Sequence, residues 1–276
     1  MLGPGLIGGS LAMALRRAHP DRPLSLWTRR AESIPPIAAA LAGTVVTDDL
    51  PRAVDGADCV VLCTAPQSIE ELCQKLSGRV AEDAVITDAG SVKSSIVRAG
   101  EAAFGPQFVG SHPMAGSEQS GFAAARPGLF EKAACIVTPT PNSSPDAVDT
   151  VRTLWRSVGC MVHELTPEDH DRLLARISHL PHAAAAALVH AVSTAGASVG
   201  KLAGNGYRDS TRIAAGPAPM WTEILLDNRA EVLAGLRDLQ NQLAALEAAL
   251  AAGDEAAVRA FLTSAAETRS QQKSLS

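Results

Sequence analysis

The sequence predicts an α/β fold in its N-terminal part and an all-α fold after it. Up to about Leu165, short β-branched runs alternate with helix-patterned segments, the signature of parallel strands with helices on both sheet faces. After "TPEDHDR" the strand signal disappears and helix with short breaks remains. The 276 residues are 46% apolar, much of it alanine, and only 3% aromatic, so two helix-rich cores of small side chains are expected. The boundary is placed between a domain spanning 1–166 and a helical domain spanning 167–276.

Strands are expected at Leu24–Trp27, Thr44–Thr47, Cys59–Cys63, Val85–Asp88, Phe108–Ser111, Ala134–Pro139 and Cys160–Glu164. Helices are expected between them at Gly9–Arg17, Ile69–Lys75, Ser94–Ala102 and, after the turn "TPTPNSSPD", Asp146–Ser157. In the second half, Leu236, Leu239, Leu243, Leu246 and Leu250 recur at steps of three and four, the spacing of a packed apolar seam. Such a helix serves a bundle core or a subunit interface, and a homodimer through the helical domain is expected.

A formal charge of −5 argues against nucleic acid or an anionic membrane as partner, and favours a small molecule. Five cysteines without a CxxC pair, most among apolar neighbours, read as reduced packing thiols of a cytoplasmic protein. The glycine-broken start "MLGPGLIGGSLAMALRR" reads as neither signal peptide nor membrane span. No metal site is expected, because the histidines lack ligand spacing. His19, His163, His170 and His190 read as surface or helix-face residues.

"GPGLIG" from Gly3 to Gly8, followed at once by a helical pattern, has the G-x-G-x-x-G form. Gly3 permits the tight turn, Gly5 lets backbone approach a pyrophosphate, and Gly8 lets helix and strand pack closely. The helix start at Leu6 and Ile7 then faces the phosphates. This makes the first domain Rossmann-like. Only Met1 and Leu2 precede the motif, so the central first strand is expected to be truncated, with neighbouring ladder groups left unpaired. An acid about 20 residues on normally holds the NAD ribose. Here Thr28, Arg29 and Arg30 stand in its place, which favours NADP over NAD without excluding NAD.

Ligands of open α/β sheets bind at strand C-termini, near the reversal of strand order. Two junctions there are "CTAPQ", with Thr64 and Pro66, and "DAGSVK", with Ser91 and Lys93. A third is "GSHPMAGSEQSG", a segment poor as helix or strand, which puts His112 in a loop at the crevice edge.

These motifs together resemble the prephenate/arogenate dehydrogenase family of tyrosine biosynthesis: the GxHPMxGxExSG-type loop, the preceding DxGSVK junction, the later "SHLPH", and "YRDSTRIA" followed by "PMW". The resemblance implies NAD(P)-dependent oxidative decarboxylation of prephenate, or of its amino analogue arogenate. His112 is then the catalytic acceptor of the substrate hydroxyl proton, and Ser91 supports that histidine or the hydroxyl. Arg212 is the guanidinium that grips the ring carboxylate of the substrate. His182 is a further substrate contact, with His179 read as a packed or capping residue. Glu118 is expected to orient the loop, Asp209 to hold Arg212 or a neighbouring helix, and Trp221 to wall the pocket.

Two other readings stand beside this one. A β-hydroxyacid-type dehydrogenase relies on a lysine of the helical domain, but Lys201 sits in no such motif. A cofactor-binding regulator without chemistry would be expected to have lost His112 or Arg212.

Overall fold

The computed structural model describes residues 1–117, 119–196 and 199–273. It forms two compact units, Met1–Arg229 and Ala230–Ser276. In the first unit the strands are β1 (Ser25–Trp27), β2 (Val45–Thr47), β3 (Cys59–Leu62), β4 (Val85–Asp88), β5 (Phe108–Pro113), β6 (Ala134–Thr138) and β7 (Met161–Glu164). They are interleaved with α1 (Leu6–Ala18), α2 (Ile34–Ala40), α3 (Leu50–Val54), α4 (Pro66–Leu76), α5 (Ser94–Phe104) and α6 (Pro145–Ser157). The two short helices α2 and α3 had no expectation in the sequence reading; α2 has Pro35 and Pro36 and α3 has Pro51 in its first turn, where a missing N–H costs nothing.

The strands run in the order β1-β2 in one group and β3-β4-β5-β6-β7 in the other. Leu2 bridges the groups, pairing parallel with Trp27 on one side and Leu62 on the other. The expectation of unpaired neighbours therefore needs correction. Leu2 N donates to Val61 O at 2.8 Å, Cys63 N to Leu2 O at 2.7 Å, Gly3 N to Trp27 O at 3.0 Å and Trp27 N to Met1 O at 2.9 Å.

Strand residues alternate between two cores. Val61, Val85 and Val109 face one with Leu11, Val151 and Trp155, while Val60, Leu62, Ile86 and Phe108 face the other with Ile69, Leu72 and Ile96. Both faces are covered, as in a doubly wound sheet. One pairing departs from the all-parallel expectation: β5 and β6 are antiparallel, with Ser111 opposite Val137 and His112 opposite Ile136. Consequently His112 and Pro113 are strand rather than loop, and the loop begins only at Met114.

Past the sheet come α7 (Pro167–Leu174), a π-helical turn (Ala175–His179), α8 (Leu180–Ser193), α9 (Val199–Leu202), α10 (Asn205–Thr211), a 3-10 turn (Arg212–Ala215) and α11 (Ala218–Asp227). The second unit holds most of α12 (Arg229–Ala251) and α13 (Glu255–Lys273), joined where Asp254 Oδ1 accepts from Ala257 N at 3.0 Å. Of the α12 leucine seam, Leu243 is 55% and Leu250 61% exposed within one chain, while Leu236, Leu239 and Leu246 are half-buried.

Candidate active site

Two hollows open along the C-terminal edge of the sheet in the first unit. One, about 880 Å³, is lined by Gly3, Gly5, Thr28, Arg29, Arg30, Glu32, Cys63 and Thr64 among others. The glycines there do different jobs. Gly3 has φ +92°, and a Cβ on it would sit 2.9 Å from Cys63 O. A Cβ on Gly8 would fall 2.3 Å from Gly3 O, so the helix can lie this close only with glycine there. Around Gly5 there is open space, with nothing within 4 Å of a Cβ. Gly5 is the N-cap of α1 and offers no side chain to its first amides. Uncapped amides beside an open glycine fit a dinucleotide pyrophosphate.

Leu6, Ile7 and Gly8 form the first turn of α1, and Pro66 heads α4; none of the four lines the hollow with a side chain. Thr28 is buried while Arg29 and Arg30 are exposed on its rim. The sequence reading passed over Glu32, an acid on the same rim.

The other hollow, about 320 Å³, brings together Ser91, His112, Ser117, His179, Arg212 and Trp221. Strand β5 fixes the backbone of His112, and the 3-10 turn presents Arg212 from the helical part. His179, read as a packed residue, lines this cavity, whereas His182 lies behind it, its ring stacked on Trp221 at 3.5 Å and 10°. The π-helical turn is what rotates Ser178 and His179 inward. Asp209 is exposed on α10 and does not line the cavity. Glu118 lies outside the described residues.

Beneath the cavity is a buried polar layer. Lys93, fully buried, is ion-paired with Asp88 and also donates to Ser111 O at 3.0 Å, so it props the β4 and β5 ends and does not reach the cavity. Asp171 on α7 accepts from Lys93 N at 2.7 Å and Ser94 N at 2.8 Å, capping α5 from outside. His170, expected at the surface, is fully buried and needs correction: its Nδ1 lies 2.9 Å from Asp171 Oδ1 and its Nε2 lies 2.9 Å from His112 Nδ1. The reason is that α7 is anchored by Asp171, which carries its neighbour inward. His19, His163 and His190 are exposed as expected.

Burial, reinforced by the nearby His170, Lys93 and His179, holds the His112 imidazole well below the usual histidine range, so it is a neutral base at pH 7. Burial pushes His179 down to about 4. The Asn228 side-chain nitrogen donates to Asp171 O at 2.8 Å and approaches His179 Nδ1 at 3.2 Å. Nδ1 of His179 is thereby the acceptor, and its buried Nε2, without a hydrogen-bond partner among the described residues, carries the proton. The cavity is therefore lined by two neutral imidazoles, His112 and His179.

Residues 11–164 match the family model described as the prephenate dehydrogenase nucleotide-binding domain, and residues 166–264 the prephenate dehydrogenase dimerization domain. A Bacillus subtilis prephenate dehydrogenase is 35% identical over 84% of this chain, which spans 64% of that protein's length. The crystal structure of prephenate dehydrogenase from A. aeolicus in complex with hydroxyphenyl propionate and NAD+ superposes with a TM-score of 0.92 at 32% identity, covering 98% of this chain and 96% of that one. A Synechocystis arogenate dehydrogenase structure superposes at 0.84 with 28% identity, covering 98% of each chain. With both family models matched in order, the first of them across the strand-borne His112, the chain belongs to the prephenate dehydrogenase family.

Proposed function

We propose that the chain is an oxidoreductase that converts prephenate to 4-hydroxyphenylpyruvate by oxidative decarboxylation, in tyrosine biosynthesis. The observation that carries this reading is the convergence of His112, His179 and Arg212 on one cavity. It lies on the β4–β5 side of a crevice shaped for a dinucleotide, about two strand spacings, roughly 10 Å, away. A nicotinamide dinucleotide bound in that crevice supplies the hydride acceptor.

The chain's own residues do the rest. Neutral His112 takes the proton of the ring hydroxyl as hydride leaves the same carbon, so that a ketone forms rather than a carbocation. The bond to the ring carboxylate then breaks, its electron pair aromatises the ring, and the proton returns to the phenolate oxygen. Arg212 grips a substrate carboxylate, His179 Nε2–H donates to a substrate oxygen, Ser91 supports His112, and Trp221 with His182 behind it forms an apolar wall. Glu118 and Asp209 are assigned to orienting the loop and the Arg212 segment.

Arg29 and Arg30 favour NADP, since guanidinium pairs with a ribose phosphate; Glu32 on the same rim would repel one. The uncovered leucines of α12 suit a homodimer, and the free thiols suit the cytoplasm. Reduced-cofactor absorbance with prephenate and with arogenate, each against NAD and NADP, tests the reading. Turnover of prephenate is expected, faster with NADP. Turnover of arogenate alone replaces the substrate assignment, and turnover of neither removes the catalytic one.

A further inference from the structure

We infer that His170 is a positioning residue that, with Asp171, holds His112 in the tautomer able to act as a base. Hydrogen-bond accounting leads there step by step. An ionised carboxylate only accepts, and Asp171 already accepts from the amides of Lys93 and Ser94. His170 Nδ1, 2.9 Å from Asp171 Oδ1, must therefore donate. In a neutral imidazole the other nitrogen then carries the lone pair, so His170 Nε2 accepts and His112 Nδ1, 2.9 Å away, donates. That leaves the lone pair of His112 on Nε2, available to the cavity the ring lines.

The charge state is consistent with this chain of donors. Burial tends to raise the Asp171 carboxyl, but hydrogen bonds from His170, Ser94 and the Lys93 amide outweigh it and hold the group below the usual carboxylate range. Burial keeps His170 below the usual histidine range although Asp171 works against it, so it is a neutral donor and acceptor at pH 7. When His112 takes a proton on Nε2, its Nδ1–H stays bonded to His170, whose dipole is backed by the Asp171 charge. The layer thus stabilises the imidazolium as well as orienting the base. The other titratable or charged groups facing His112 are Lys93 beside α5, paired with Asp88 of β4, and neutral His179 and Arg212 at the cavity.

This inference rests on the catalytic reading of His112, and the test separates the two. Nitrogen-15 NMR of histidine-labelled, unliganded protein near neutral pH reads the tautomer directly, without substrate or cofactor. His112 protonated on Nδ1 is the expected result, and protonation on Nε2 in the unaltered chain overturns the proposal whatever the enzyme turns over. In the second arm, His170→Gln keeps an acceptor near the place of Nε2, and His170→Phe removes it. With prephenate as substrate, His170→Phe is expected to lower kcat about 100-fold with KM within about threefold, and to move the acid limb of kcat/KM to lower pH. His170→Gln is expected to restore kcat to within about tenfold of the unaltered chain. Equal losses in both variants, or a His112 tautomer unchanged in His170→Phe, point to a packing role and overturn the inference. If His170→Phe does not fold, the spectrum of the unaltered chain still decides.

Discussion

The dinucleotide crevice and the substrate cavity lie along one edge of one sheet, yet they are made differently. The crevice is built of backbone: Gly3, Gly5 and Gly8 shape a turn and leave uncapped amides, all within six residues of chain. The cavity is built of side chains delivered by β5, the π-helical turn and the Arg212 turn, from positions scattered over half the sequence. A backbone site tolerates change in its side chains but not in its glycines. A side-chain site depends on buried partners that never touch the ligand.

The sharpest way to break that comparison is at His112. His112→Asn is expected to lower kcat for prephenate oxidation by about 100- to 10,000-fold with KM little changed, read by steady-state absorbance. A variant with normal kcat would strip the cavity of its base.

Acid should then weaken the cavity side first. His179 is held down at about 4 by burial, while the unfolded chain takes up that proton near 6.5. Between those values the unfolded state binds more protons, so stability is complete above about pH 6.5 and falls as pH drops towards 4. For this residue alone the loss is about 3 kcal/mol. His112 and His170, also shifted down, add in the same direction. Urea denaturation midpoints at pH 7, 6, 5 and 4 measure it, and a flat series contradicts the neutral buried layer.

Arg212→Ala is expected to raise KM about 10- to 100-fold with a smaller change in kcat, as loss of a charge-assisted pair with substrate would. A loss confined to kcat would instead make Arg212 part of the chemical step.

The two glycines separate packing from binding on the crevice side. Gly8→Ala forces a Cβ against Gly3 O and is expected to cost about 1–3 kcal/mol of stability in urea. Gly5→Ala meets nothing in the unliganded protein, so stability should change by less than about 0.5 kcal/mol while dinucleotide affinity, by calorimetry, falls. Equal stability loss in both would mean that the space at Gly5 is not reserved for a ligand.

How much of this was readable follows the same division. All seven strands fall within a residue or two of their expected places, except that β5 runs on through Pro113. Composition disfavoured strand for His112 and Pro113, and the antiparallel partner β6 imposes it. Helix α7 has a start that sequence can show, Thr166 accepting from Asp169 N with Pro167 and two acids behind it. Its neighbour's fate was not readable, because His170 looks like any polar residue on an exposed turn. The signal was the pair His170–Asp171 inside a capped helix, which local pattern alone cannot distinguish from a solvated face.

By itself the sequence determined the alternation of strands and helices and the glycine cradle, since each is set by interactions among residues a few positions apart. Tertiary structure alone decided that His170 is buried, that His179 rather than His182 meets the cavity, and that Leu2 closes the sheet. Those outcomes rest on contacts such as Lys93 with Asp171, 78 residues apart, and His112 with His170, 58 apart. A carboxylate capping a distant helix fixes where a neighbouring imidazole must go, and no local propensity encodes that.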